Sequence, residues 1–465
     1  MRNTTLILML LMLAATGTAQ AAGSGLPVKN TVTDGVREWM ERESVFGGQV
    51  YLRTAGNPDH PPVVLIHGLG DEASTSWDAS IEALKNDYFI LTLDLPGFGR
   101  SSRLNALYSP ANYARLIHRL TEKILNRPFH LVGHSMGGAI TLQFTHSYPA
   151  KVKTLTLIDA AGILHRLAYT KYLAPLGIDK VLNQYNLFGE RKIADLAGVL
   201  MSALEKRTPV NMDLLINLEP FRAKVLRGNP TMIAGLALVL NDFSRMPETI
   251  QQPTLIIWGE SDKIAPVRTG LVLEALIPNA RLELIPGGGH MAFIERPELF
   301  NNMLTLHLQQ HRQPRKRQTA KTPQTGYRDQ VTCRNSDGQV ITGKIGSLLV
   351  DHCRNTLILD ADIDNLVVIE SSVTIRNTQI KSATAALTVH DSSLNITTGR
   401  IEGETAIVAH NSRLDIAGTQ LTGRQAAVTA PTDSTVIFSL GRIDSPIYRD
   451  RVIHGMKVVA PGSYL

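Results

Sequence analysis

Only two of the 465 residues are cysteine, Cys333 and Cys353, and neither adjoins a histidine in the way a catalytic thiol would require. That scarcity argues against a dense disulfide framework and against a catalytic thiol with a local base. Aromatic residues make up 5% of the chain, and all three tryptophans (Trp39, Trp77 and Trp258) lie in its first 258 residues. From 327 onward the aromatics are Tyr327, Phe438, Tyr448 and Tyr464, so the C-terminal part offers few ring faces for stacking on sugars. No histidine and carboxylate spacing matches a zinc site. Long apolar runs are missing too. The longest, Leu6–Ala15, has ten residues, against the ~20 needed to span a bilayer.

That short run has another reading. Arg2 precedes it and Ala19-Gln20-Ala21 follows it, which is the pattern of a secretory signal peptide over 1–21, cut after Ala21. The expected mature protein is periplasmic or secreted and has no transmembrane segment. The net charge of +6 invites a nucleic-acid reading, but its distribution removes it. Residues 311–328 hold Arg312, Arg315, Lys316, Arg317, Lys321 and Arg328 with no acid, so this segment alone carries +6. With Pro314 and Pro323 it reads as a linker. It separates a domain over 22–310 from one over 329–465, each long enough for its own core.

Within the first domain, Gly133-His134-Ser135-Met136-Gly137 fits G-x-S-x-G. The apolar Pro128–Val132 before it reads as a buried strand, and Gly138–Phe144 after it as a helix. A strand, a sharp turn and a helix would hold Ser135 in a strained conformation with its hydroxyl exposed above a sheet. A serine needs a base to become nucleophilic. His290, at the end of Pro286-Gly287-Gly288-Gly289-His290, is the candidate base. Asp262 is the candidate acid, after the strand Thr254–Gly259, where a carboxylate can fix the tautomer of His290 and stabilise its imidazolium. Asp159, ending Lys153–Ile158, is the competing acid, whereas Asp94 reads as structural. The strand Val63–Ile66 runs into His67-Gly68, so the N–H groups of Leu69 and Met136 are candidates for an oxyanion hole. His67 and His134 read as turn and packing residues.

Five blocks in order make residues about 45–310 resemble the α/β-hydrolase family, in its capped esterase and lipase subgroup. They are His67-Gly68, Asp94-Leu95-Pro96-Gly97-Phe98-Gly99, Gly133–Gly138, Gly259-Glu260-Ser261-Asp262 and Gly289-His290. The resemblance implies an α/β fold with a mostly parallel sheet flanked by helices. It also implies a helical cap over about 162–248 and no metal or organic cofactor. Serine at position 135 argues against the family's dehalogenases and epoxide hydrolases, whose nucleophile is Asp.

The second domain carries a repeat of about 20 residues. The pair Val373/Ile375 recurs as Leu394/Ile396, Leu414/Ile416 and Val436/Phe438, and a third apolar site recurs at Ile363, Ile380, Ile401, Leu421 and Ile443. Short alternating strands joined by polar turns predict a right-handed parallel β-helix, with a β-sandwich as the alternative. Cys333-Arg334-Asn335 recurs as Cys353-Arg354-Asn355. Equivalent positions on neighbouring coils lie ~4.8 Å apart, so a Cys333–Cys353 disulfide is expected.

The functional expectation is an exported serine hydrolase of carboxylic esters. The Leu-, Ile-, Met- and Ala-rich cap favours a small-molecule ester or lipid with an apolar acyl group. The alternatives are a carbohydrate esterase, another hydrolase of this kind (thioesterase, amidase or carbon–carbon hydrolase), or a non-catalytic protein making polysaccharide or cell-surface contacts through the tail.

Overall fold

A computed structural model describes residues 31–33, 35–164, 212–309, 327–449, 451–459 and 463–464. The signal segment, residues 165–211 of the expected cap, residue 310 and residues 311–326 of the expected linker lie outside the described residues. Among the described residues, no helix is long and apolar enough to cross a membrane.

The described residues fall into two compact units. The first contains residues up to 160, 212–241 and 293–309. Its strands are β1 (Thr31–Thr33), β2 (Val36–Arg42), β3 (Gln49–Ala55), β4 (Pro62–Ile66), β5 (Phe89–Leu93), β6 (Phe129–His134) and β7 (Val152–Ile158). They are ordered β1-β2-β3-β5-β4-β6-β7. β1, β2 and β3 join antiparallel, as do β3 and β5, while β5, β4, β6 and β7 run parallel. Every residue of β4 and β6 is buried. This is why Pro62-Val-Val-Leu-Ile66 and Phe129-His-Leu-Val132 read as continuous apolar runs, as parallel strands covered on both faces require.

The helices of this unit are α1 (Asp78–Leu84), α2 (Pro110–Ile124), α3 (Met136–Ser147), α4 (Met212–Asn217), α5 (Glu219–Lys224), α6 (Pro230–Leu240), and, near its C-terminal end, α9 (Pro297–Gln309). Their starts are written locally. Ser109 accepts a hydrogen bond from Asn112 N–H and Asn229 from Met232 N–H, each with proline at the first helical position. The described part of the segment expected to form a cap holds α4–α6, and α6 buries Ile233, Ala234, Ala237 and Leu238.

The second unit joins residues 242–292 to the C-terminal domain. β8 (Thr254–Gly259) and β9 (Ala280–Ile285) pair in parallel, with α7 (Val267–Leu276) between them in sequence; α8 (Ala292–Glu295) begins at the last residue of this segment and continues into residues of the first unit. β10 (Arg328–Arg334), β11 (Val340–Asp351), β12 (Thr356–Ile369), β13 (Ser372–Lys381), β14 (Ala385–His390), β15 (Ser393–His410), β16 (Arg413–Ala417), β17 (Gln420–Ala430) and β18 (Ser434–Asp444) form a stack of parallel strands. β19 (Arg451–Val459) and β20 (Ser463–Tyr464) close it with antiparallel pairings to β18 and β17.

The repeat sets the register of this stack. Val373 faces Leu394, Leu394 faces Leu414 and Leu414 faces Val436. Ile363, Ile380, Ile401, Leu421 and Ile443 form a second unbroken column. All of these side chains are buried in one core. A residue with positive φ turns the chain before each strand pair: His352 (54°), Glu370 (44°), Asp391 (46°) and Asn411 (47°). Buried serines answer these turns. Ser371 Oγ accepts from Cys353 N–H, Ser392 Oγ from Ser371 N–H, Ser412 Oγ from Ser392 N–H and Ser434 Oγ from Ser412 N–H, at 2.9–3.1 Å. They supply partners for N–H groups that burial would otherwise leave costly.

Cys333 and Cys353 are joined, with Cα atoms 6.5 Å apart. Their register differs from the expected one. Cys333 stacks on Val350, and Cys353 lies beyond the end of β11. The early turns advance by 17 or 18 residues, as in Ile341 on Ile358 and Ile345 on Ile363, so the Cys-Arg-Asn recurrence is not a stacking period. His352, at φ 54°, turns the chain between the end of β11 and Cys353. Replacing both cysteines by serine is expected to lower the stability of the C-terminal domain by about 2–4 kcal/mol. Thermal unfolding followed by circular dichroism, with and without reductant, checks this: the variant should match the reduced protein.

Candidate active site

Ser135 sits between β6 and α3 with φ 53° and ψ −120°, a conformation that a non-glycine residue adopts only under constraint. Its N–H donates to Ile158 O at 2.9 Å, tying the turn to the adjacent end of β7. The glycines around it are there for clearance. A Cβ on Gly137 would stand 2.3 Å from Ile66 O, and one on Gly133 would stand 2.3 Å from Gly137 O. A Cβ on Gly68 would fall 2.8 Å from Ser135 Cβ, so the loop after β4 passes directly beside the serine. This brings the Gly68-Leu69 segment alongside Ser135-Met136, and Met136 is the first residue of α3.

His67 supports that loop. Leu95 N–H donates to His67 Nε2 at 2.8 Å, so the proton resides on Nδ1, which donates to Gly68 O at 2.7 Å. Burial is the largest influence on this ring and pushes its pKa below 6.5. A histidine kept neutral in the fold takes up a proton more readily when unfolded. Its stabilising contribution is therefore present above pH 6.5 and is lost as the pH falls below it. Urea unfolding at pH 7.5 and 5.5 should show a loss of stability on acidification, and His67→Gln should flatten that dependence. His134 packs its ring on Phe293, with centroids 4.7 Å apart.

Both carboxylate oxygens of Asp94 are taken up by structural hydrogen bonds. Oδ1 accepts from Ser74 N–H and Oγ–H, and Oδ2 accepts from Arg100 N–H at 2.7 Å. Asp159 ends β7 with φ 44° and is fully buried.

In the second unit, the loop after β8 and the glycine loop after β9 lock together. Ser261 N–H donates to Gly288 O at 2.8 Å, and Gly259 lies so close that a Cβ there would stand 2.1 Å from Gly289 O. That contact brings Asp262 and His290 together across 28 residues, with His290 Nδ1–H donating to Asp262 Oδ2 at 2.8 Å. The Asp262 side chain is completely buried, and 12% of the His290 side chain is exposed. Asp262 Oδ1 accepts from Ile264 N–H at 2.7 Å and Ala265 N–H at 3.0 Å. The carboxylate is thus held at both oxygens, and it leaves His290 Nε2 as the nitrogen that accepts a proton.

The profile of the α/β hydrolase fold family matches residues 61–297, just over half of the chain. The chain belongs to the α/β-hydrolase fold family. Its relatives include an uncharacterized hydrolase of Bacillus subtilis, YugF, 30% identical over 272 residues, covering 56% of this chain and 95% of YugF. An uncharacterized protein of Mycobacterium tuberculosis is 30% identical over 275 residues, 56% of this chain and 78% of its own. The pimeloyl-[acyl-carrier protein] methyl ester esterase of Nitrosomonas europaea is 29% identical over 259 residues, 54% of this chain and 96% of the esterase. This α/β hydrolase departs from a bare family domain in the β-rich domain that follows. Sequence reasoning missed the two N–H groups that hold Asp262 and the anchoring of α7 described below. The Ile264-Ala265-Pro266 turn carries no side-chain signature for the first.

Proposed function

We propose that this protein is an exported serine hydrolase acting on carboxylic esters. Ser135 is the nucleophile, His290 the general base, Asp262 the acid that orients His290, and the Leu69 and Met136 N–H groups the oxyanion hole. The observation that carries this reading is the strained backbone of Ser135 at a strand-to-helix turn, the strain that keeps a nucleophilic hydroxyl clear of its own chain. The buried Asp262–His290 hydrogen bond supports the roles of base and acid. The esterase among its relatives supports the choice of bond.

Ser135 Oγ attacks the ester carbonyl as His290 Nε2 takes its proton. The proton passes to the leaving alcohol, and water activated by His290 then cleaves the acyl-enzyme. Charge that develops on the carbonyl oxygen falls on the two backbone donors, each worth about 3–4 kcal/mol in such sites. The Cys333–Cys353 bond favours an oxidising compartment, in keeping with the signal-like first 21 residues. The Leu-, Ile-, Met- and Ala-rich composition of residues 162–248 favours an apolar acyl group.

Hydrolysis of p-nitrophenyl esters of increasing acyl length tests the reading. Turnover with an optimum at medium or long chains supports an apolar acyl pocket, and a flat response removes that part. Cleavage of thioesters or amides in preference to esters would reassign the bond. Polysaccharide contact by the tail has little to favour it. Phe438 is buried and Tyr448 is packed against the core, which leaves Tyr327 as the exposed ring among the described tail side chains.

A further inference from the structure

The C-terminal stack does more than follow the hydrolase domain in sequence. Three residues after Ala265, whose N–H holds the Asp262 carboxylate, Arg268 leaves the first turn of α7 and enters the stack. Its guanidinium makes four hydrogen bonds there. Nε donates to Thr397 Oγ1 at 2.7 Å, Nη1 to Asp415 Oδ1 at 2.8 Å, and Nη2 to the carbonyl oxygens of Ile396 and Asp415, both at 2.8 Å. The Arg268 and Asp415 side chains are only 13% and 12% exposed. Four hydrogen bonds from one planar group fix its orientation as well as its position. One helical turn further on, Val272 is fully buried, and Gly418 lies against it at φ 59°, where a Cβ would stand 3.0 Å from Val272 Cγ1. Glu248 forms an ion pair with Arg442 on the same side of the stack.

The other end of this chain of contacts is the acid loop. Trp258 Nε1–H donates to Ala265 O at 2.8 Å, and Pro266 directly precedes α7, so residues 264–268 run as one braced turn from the Asp262 carboxylate to the stack. We propose that Arg268 is a positioning residue for the Asp262–His290 pair, and that Ile396 and Thr397 of β15 and Asp415 of β16 in the C-terminal stack are the buttress it pushes against. The role rests on the triad reading above and extends it: the C-terminal domain is part of what holds the catalytic acid in place.

The test uses the full-length protein and an ester it turns over, with active serines counted by organophosphate titration. Arg268→Ala and, from the opposite side of the contact, Asp415→Ala should each lower kcat per titrated serine by at least about tenfold, since a displacement of about 1 Å at such a site costs up to ~100-fold. KM should stay within about twofold. The double variant should be no slower than the slower single one, because both remove the same link. Arg268→Lys, which keeps the charge and loses the fork, should recover part of the rate. If an alanine variant does not fold, Asp415→Asn and Thr397→Val carry the same comparison. Unchanged kcat per titrated serine in both variants, whatever happens to the melting temperature, would overturn the proposal and leave a purely structural contact. Asp262→Asn run in parallel separates the two levels. If it loses turnover while the Arg268 variants do not, the buttress alone fails. If it keeps turnover, the triad reading fails.

Discussion

Ser135→Ala should lower kcat/KM for p-nitrophenyl esters by about 10⁶-fold, the scale seen when the serine of a triad is removed. The fold should survive, because alanine keeps the Cβ that the turn already accommodates and the N–H bond to Ile158 is untouched. Circular dichroism and melting temperature should therefore match the parent, and covalent labelling by an organophosphate should vanish. A variant that still turned over esters would remove Ser135 from the chemistry. The strained turn would then need another explanation, because backbone strain of this kind costs about 1–3 kcal/mol and is kept only where the surroundings enforce it.

Asp262→Asn should cost about 10⁴-fold in kcat, and the local geometry says why. Oδ1 of Asp262 accepts from two backbone N–H groups, so the amide oxygen of an asparagine must take that place. Its NH₂ group then faces His290 Nδ1 and forces that nitrogen to accept a hydrogen bond. The proton moves to Nε2, where it blocks removal of the serine proton. KM should change little, since the ester touches neither oxygen. Asp159→Asn is the control. If it, and not Asp262→Asn, removed turnover, the acid would belong at the end of β7. Rates at a single pH with both variants decide between them.

Much of this arrangement is legible in one dimension because its causes are local. The turn at Ser135 needs small residues on both sides and an apolar strand before it, and all of these are neighbours in the chain. The glycine-rich loop after Asp94 announces its contact with Arg100 N–H in the same way, whereas the two from Ser74 reach across 20 residues. The columns of the C-terminal stack are legible because a parallel repeat places the same residue types over one another: Val373, Leu394, Leu414 and Val436 mark one column with no knowledge of the fold. The pairing of Asp262 with His290 is a half-local case. Strand ends and glycine loops point to both residues, but only the lock between residues 259–261 and 288–289 brings them within hydrogen-bonding distance.

The cysteines show where pattern misleads. Cys-Arg-Asn recurs after 20 residues, yet the turns in that part of the stack advance by 17 or 18. The chain turns at His352, just before Cys353, a conformational choice that identity of residues does not encode. Arg268 shows where pattern is silent. An arginine on a helix reads as a solvated charge, and its partner Asp415 lies 147 residues away. Strand periodicity, the turn at the serine and the order of the site residues follow from short-range sterics and from which faces must be buried, so they are written in the chain. The register at the disulfide, the seating of α7 on the stack and the holding of Asp262 depend on which distant surfaces meet, and only the packed structure settles that.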